Sequence, residues 1–137
     1  MKLLRNCTIY LVVLMFIGCS RQYKDMEIEK SLSNVELNTE FSLDTMTTGE
    51  WDMVYIAKPY ENIDALEINN MPSSVKNSLK NRLMRDSHSF LIFTQKHDFL
   101  YYAPIGVGFA NFSFLEENKY ARSQVYTLDS NKVVRCK

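Results

Sequence analysis

Residue types that commonly do chemistry are sparse in this chain. His88 and His97 bound one apolar stretch, which would hold them roughly 30 Å apart if it forms an extended strand. They therefore cannot share one metal ion, and Cys136 adds a lone thiol. The triplet Gly-Val-Gly at 106–108 begins like a phosphate-binding loop, but Asn111 stands where the next glycine is required. We expect neither a metal site nor a cofactor.

One cysteine stands in a context that gives its thiol a chemical role. A basic start, with Lys2 and Arg5, precedes about eleven mostly apolar residues at 7–17, and then Gly18 and Cys19. The apolar run is shorter than the roughly 20 residues of a membrane span and is typical of a signal peptide. Gly18 is small enough to enter a peptidase cleft, and the Cys19 thiol is a nucleophile that can accept a lipid.

Residues 16–19, Phe-Ile-Gly-Cys, resemble the lipobox of bacterial lipoproteins, which usually has Leu where Phe16 stands. The resemblance implies a signal peptide over residues 1–18 and acyl chains such as palmitate on Cys19. Two or three chains would anchor the protein stably, because each buried CH₂ contributes about 0.8 kcal/mol. Ser20 resembles the outer-membrane sorting position of Gram-negative lipoproteins. An ordinary secretory signal with a chance Gly-Cys pair is the alternative.

The remaining chain divides into two parts by composition. Residues 19–40 are polar with isolated apolar positions, which predicts a lipidated cysteine followed by a polar tether. Residues 41–137 are rich in aromatic and β-branched residues, which predicts a single globular domain. The formal net charge is zero, and this argues against nucleic acid as a partner.

Local patterns within residues 41–137 predict an α+β domain. The central strand is expected at Trp51–Ala57, because both of its faces are largely apolar. Helices are expected next, at Glu61–Ile68 and Ser73–Arg85. Two hairpins should follow, the first pairing His88–Gln95 with Asp98–Ala103 and the second pairing Tyr120–Leu128 with Val133–Cys136. We expect an antiparallel sheet of about five strands with two short helices packed on one face.

The segment from Trp51 to Tyr60 carries the pattern Trp-Asp-x-Val-Tyr-x-x-x-Pro-Tyr. It resembles the opening strand of a family of small uncharacterised bacterial lipoproteins, and this likeness implies no activity or site. Its aromatic residues, Trp51, Tyr55 and Tyr60, could pack in the core with their hydroxyls at its rim. Alternatively, they could form a candidate aromatic surface on which sugar rings stack.

These observations favour a membrane-anchored envelope lipoprotein that binds an envelope protein or glycan and is not an enzyme. The membrane is the first partner, through the lipid on Cys19, and the outer membrane is favoured if the cell is Gram-negative. An inhibitor or immunity-type lipoprotein is one alternative. An envelope hydrolase is another, and it would require at least two of Asp52, His88 and Asp98 to share one cleft.

Overall fold

The computed structural model describes residues 22–137, so the expected signal peptide and Cys19 lie outside the described residues. The helices are α1 (Glu27–Ser33) and α2 (Ser73–Leu83), with single 3₁₀ turns at Asp44–Met46 and Ile63–Ala65. The strands are β1 (Thr39–Ser42), β2 (Met53–Ala57), β3 (His88–Gln95), β4 (Asp98–Gly106), β5 (Lys119–Ala121), β6 (Val125–Leu128) and β7 (Val134–Cys136). The predicted α+β class is confirmed.

The strands form two antiparallel sheets instead of the single sheet of about five strands that we expected. The first has the order β4-β3-β2-β5 and the second the order β1-β6-β7. The second expected hairpin is confirmed where β6 pairs with β7, but its first strand is interrupted, because β5 pairs with β2 in the other sheet. The strand predicted at Tyr120–Leu128 is therefore two strands in different sheets.

The first sheet is buried on both faces, as the apolar pattern of its central strands predicts. One face contributes Val54, Ile56, Leu91 and Phe93 to a core shared with the second sheet and α1. The other face contributes residues such as Ile92 to a core shared with α2. The helices α1 and α2 therefore lie on opposite faces. The helix expected at Glu61–Ile68 is only the 3₁₀ turn Ile63–Ala65, and Ile63 packs in the same core as α2, so the two segments expected to be helical do share one face.

Helix α2 follows the predicted pattern closely. Val75, Leu79 and Leu83 recur at helical spacing and are the buried residues of the helix, packed on the first sheet. The helix begins after Pro72, which occupies the N-cap position, and no side chain caps it. Ser73 and Ser74 therefore lie within the first turn of the helix and not at its N-cap.

The segment expected to be a polar tether contributes a helix and part of a strand to the fold. Ile28 and Leu32, four residues apart on α1, are 0% and 1% exposed in the core beneath the second sheet. Glu29 on the same helix accepts a 2.7 Å hydrogen bond from the backbone N–H of Gly106. The folded region therefore begins before Phe41. A helix of seven residues is marginal in isolation, and the burial of Ile28 and Leu32 in the core stabilises this one.

Turns position the ends of these strands. Lys96 and His97 join β3 to β4 with φ values of 49° and 69°, which is the geometry of a type I′ hairpin turn. Asp129 joins β6 to β7, accepting hydrogen bonds from the backbone N–H groups of Asn131 (2.8 Å) and Val133 (2.9 Å). The bond from Val133, followed by contributions from Asn131 and Arg135, lowers the pKa of Asp129.

Among residues 22–137, no helix combines the length and apolar character needed to cross a bilayer.

Replacing Ile28 with Ala tests whether α1 belongs to the core. The change should lower the free energy of unfolding by about 2–5 kcal/mol, since it removes a fully buried side chain and leaves a cavity. Chemical denaturation of the wild type and the variant measures this difference. Leu37→Ala is the control, because that side chain is 45% exposed and its loss should change little. Equal stability of I28A and wild type would restore the tether interpretation.

Candidate interaction surface

The three aromatic residues of the candidate surface have different environments. Trp51 and Tyr55 are each 3% exposed, whereas Tyr60 is 67% exposed. Trp51 packs edge-on against Phe93, with ring centroids 4.9 Å apart, and lies in the core shared with the second sheet. Tyr55 lies in the other core, against α2. The described residues therefore do not present these three rings on one stacking surface.

If residues 51–55 formed one regular strand, the side chains of Trp51 and Tyr55 would lie on the same face of the sheet. In the structure they lie on opposite faces. The reason is that β2 begins at Met53, so the alternation of a strand does not extend back to Trp51. The indole Nε1 donates a 2.7 Å hydrogen bond to Thr47 Oγ1, which directs the ring towards the core of the second sheet. The Tyr55 hydroxyl lies 3.3 Å from His97 Nδ1, and burial raises the pKa of Tyr55.

Tyr60 occupies a backbone conformation that aromatic residues rarely adopt. The N–H of Glu61 donates to the carbonyl of Lys58 at 3.1 Å and closes a turn around Pro59 and Tyr60. Tyr60 has φ of 64° at the third position of this turn, where glycine or asparagine is usual. A non-glycine residue there costs about 1–2 kcal/mol. Because the ring is exposed, core packing does not offset this strain.

Two other exposed apolar side chains, those of Met84 and Phe109, lie at the same end of the first sheet as Tyr60. The Tyr60 N–H donates a 2.6 Å hydrogen bond to the carbonyl of Leu83, and the next residue, Met84, is 72% exposed. Phe109 is 45% exposed and lies over Gly106 at the end of β4, where a Cβ would approach its ring to 3.2 Å. We define the end surface as Tyr60, Met84 and Phe109.

The end surface lies at one end of the first sheet. In that sheet Ala57, Phe90 and Pro104 stand in register, and the chain beyond Ala57 and Pro104 leads to Tyr60 and Phe109. Sequence patterns missed Met84 and Phe109. The sequence did contain a signal for Met84. Met84 directly follows Leu83, the last buried position of α2, and neighbouring residues of a helix point in different directions, so the Met84 side chain lies off the apolar face.

The candidate hydrolase residues are divided between the two ends of the first sheet. Asp52 accepts a 2.9 Å hydrogen bond from the N–H of Lys96, and Asp98 accepts one of 2.9 Å from Asn70, both at the β3–β4 hairpin. His88 begins β3 at the opposite end, with Nδ1 2.9 Å from Ser87 Oγ. His88 is therefore separated from the two aspartates by the length of β3. Among residues 22–137, no three His, Cys, Asp or Glu side chains converge as a metal site would require.

Two grooves indent the described part of the molecule. One, of about 580 Å³, is lined by residues including Lys24, Asp25, Thr48 and Tyr101. The other, of about 490 Å³, is lined by Phe114, Leu115, Glu116, Glu117, Tyr120, Gln124, Arg135, Cys136 and Lys137. Burial raises the pKa of Tyr101 and of Tyr120 to about 12. Both phenols stay protonated near neutral pH, which makes them hydrogen-bonding groups and poor nucleophiles.

Comparisons with protein-family models, with curated proteins and with solved structures give no match to this chain.

The strain at Tyr60 predicts that glycine and alanine differ at this position. Both substitutions remove the ring, but Gly adopts the left-handed conformation freely and Ala does not. We expect Tyr60→Gly to be more stable than Tyr60→Ala by about 1 kcal/mol, measured by denaturant unfolding. Two variants of equal stability would show that the backbone at Tyr60 is unstrained.

Proposed function

We propose that this protein is a lipid-anchored lipoprotein of the cell envelope whose domain binds another protein and catalyses no reaction. The observation that carries the proposal is Tyr60, a strained residue whose ring is left in solvent beside Met84. Strain of this kind persists where the surrounding structure imposes it, and it concentrates at functional sites. Tyrosine, methionine and phenylalanine, the residues of the end surface, are also enriched at protein interfaces.

The described chain next to Cys19 supports anchoring close to the membrane. The N–H of Asp25 donates to the carbonyl of Tyr102, and the N–H of Tyr102 donates to the carbonyl of Tyr23, both at 2.8 Å. Chain geometry limits the distance from the Cα of Cys19 to that of Tyr23 to about 14 Å. An acylated Cys19 would therefore hold the folded domain near the bilayer surface and not at the end of a long tether.

The direction of this segment favours a partner that approaches from the side away from the membrane. Lys24 forms a parallel bridge with Tyr102, so the chain from Asp25 back to Gln22 runs towards the Asp98 end of β4. The end surface lies beyond the opposite end of β4, at Gly106. With the lipid attached on the Asp98 side, Tyr60 and its neighbours face away from the bilayer. This arrangement favours a protein partner over insertion of the end surface into lipid.

Replacing Cys19 with Ser tests the anchor. The wild-type protein should incorporate radiolabelled palmitate and remain with the membrane fraction, and Cys19→Ser should lose both properties because the hydroxyl is not acylated in this pathway. Cys7→Ser is the matched control, since that thiol lies within the expected signal peptide and should not be needed. Palmitate labelling that persists in C19S would disprove lipidation at this position.

A photo-crosslinking amino acid at position 60 tests the binding surface in cells. Benzoyl-phenylalanine at Tyr60 should yield a discrete protein adduct, while the same group at Leu37 should not, because Leu37 is exposed but lies outside the end surface. An adduct with an enzyme whose activity falls on binding would identify an inhibitor-type lipoprotein. Lipid or glycan adducts alone, or equal adducts at both positions, would contradict a protein-binding role for the end surface.

A further inference from the structure

The end surface contains a side chain that mild oxidants convert from apolar to polar. Met84 is 72% exposed, the largest exposed fraction among the large hydrophobic side chains of residues 22–137. Its thioether sulfur is therefore accessible to small oxidants in solution. Oxidation adds one oxygen atom and leaves a polar, chiral sulfoxide in place of a flexible apolar group, and this change disrupts interfaces that use methionine.

The other methionines of the described chain are less exposed. We call Met46, Met53 and Met71 the core methionines, because Met46 packs against the core shared with the second sheet and the other two against the core shared with α2. Met26 is 48% exposed and lines the groove of about 580 Å³, outside the end surface. Because an oxidant must reach the sulfur, Met84 should react before Met26, and Met26 before the core methionines.

The backbone of Met84 is fixed next to that of Tyr60 at the end of α2. The carbonyl of Leu83 is one of the last in the helix and accepts the 2.6 Å hydrogen bond from the Tyr60 N–H. This carbonyl belongs to the same peptide unit as the N–H of Met84. Oxidation of Met84 therefore changes the polarity of the end surface, while the hydrogen bond that positions Tyr60 uses backbone groups only and stays in place.

We propose that Met84 is a site of reversible oxidation by peroxides, and that its sulfoxide weakens binding of the partner at the end surface. This inference rests on the proposed function, because it concerns regulation of the same surface. In the reaction, a lone pair of the thioether sulfur attacks one oxygen of hydrogen peroxide and the O–O bond breaks. The departing hydroxide takes the proton from the transferred oxygen and leaves as water, so the sulfur is oxidised and the peroxide is reduced.

The sulfoxide should act on binding and not on folding. Water satisfies the sulfoxide oxygen while the surface is free, but a partner that covers Met84 removes this water. Burying a polar group without a new hydrogen bond is unfavourable, so the oxidised surface binds more weakly. The folded domain loses no contact, because Met84 belongs to neither core of the described residues. This difference separates a switch from oxidative damage to the fold.

The order of oxidation is measured first, on the full chain in detergent. Graded doses of hydrogen peroxide are followed by mass spectrometry of peptides, in a Cys136→Ser background because the exposed thiol would also react. Met84 should react faster than Met26 and at least twofold faster than each core methionine, with no change in thermal unfolding. Equal rates at Met84 and the core methionines, or faster oxidation of Met26, would overturn the proposal. This measurement needs no partner.

The effect on binding is measured in isolated membranes, with benzoyl-phenylalanine at position 60 in the same background. Peroxide should lower the yield of the protein adduct at least fivefold. Met84→Leu should keep its yield, because leucine preserves the apolar volume and has no sulfur. Met26→Leu is the matched control, and its yield should fall as in the parent chain. Met84→Gln, which is polar without oxidation, should give a low yield before treatment. An equal loss in Met84→Leu would show that peroxide acts elsewhere, which contradicts the proposal.

Reversal is the last measurement. Methionine sulfoxide reductases specific for the two epimers should restore the adduct yield, because they return the sulfoxide to the thioether. A yield that stays low after Met84 has been reduced would contradict a reversible switch. An adduct that peroxide does not affect would disprove the role of Met84 alone. If no protein adduct forms before peroxide is added, the protein-binding function itself is disproved, and this inference with it.

Discussion

The fold depends on one constraint, which is that β2 and β3 are apolar on both faces. Phe90 and Ile92 face α2, whereas Leu91 and Phe93 face the second sheet, and all four are 0% exposed. At about 25 cal/mol per Å² of apolar surface, leaving either face in water would remove a large part of the stability of a domain this size. Two layers must therefore cover the first sheet. Helix α2 forms one layer, and α1 with the second sheet forms the other.

The outer side of β4, an edge strand of the first sheet, is covered by other segments of the chain. Along the outer side of β4, Asn69 pairs with His97 and Phe99, the segment Tyr23–Asp25 pairs with Tyr102, and a carboxylate oxygen of Glu29 accepts from Gly106. Pro104 has no N–H to satisfy. Such cover prevents an edge strand from pairing with other chains. Asn111 covers part of β7 in the same way, since it bonds to Lys132 and to the N–H of Val134.

The sequence predicts the parts of the fold that depend on local patterns. His88–Gln95 is a strand with the predicted bounds, and α2 lies within the predicted range Ser73–Arg85. The hairpin of β6 with β7 was predicted, but its separation into a second sheet with β1 was not, because β1 is only four residues long and its pairing joins residues about 85 apart in sequence, such as Phe41 with Tyr126. Short strands carry too few alternations to separate from a loop pattern.

The candidate surface was predictable only in part, for a related reason. The motif singled out Tyr60, but the pattern of apolar residues does not reveal that the φ of Tyr60 is positive. The same pattern does not reveal that the Trp51 side chain lies in the core opposite to that of Tyr55. Both facts follow from where β2 begins and from the turn around Pro59, which are boundary properties. Strand boundaries depend on tertiary contacts such as the packing of Trp51 on Phe93, which lies 42 residues away, and local sequence patterns do not encode such contacts.

The pairing of Tyr23–Asp25 with β4 changes what a lipid on Cys19 would do for binding. A flexible tether of about 20 residues would let the domain sample many orientations and distances, which lowers the effective concentration of its surface near any neighbour in the same membrane. A segment that is hydrogen-bonded to Tyr102 leaves only a short link and restricts rotation of the domain. The domain would then be held within a short distance of the bilayer surface. Confinement of this kind favours partners that are held in the same bilayer, because it raises the effective concentration of the domain near them.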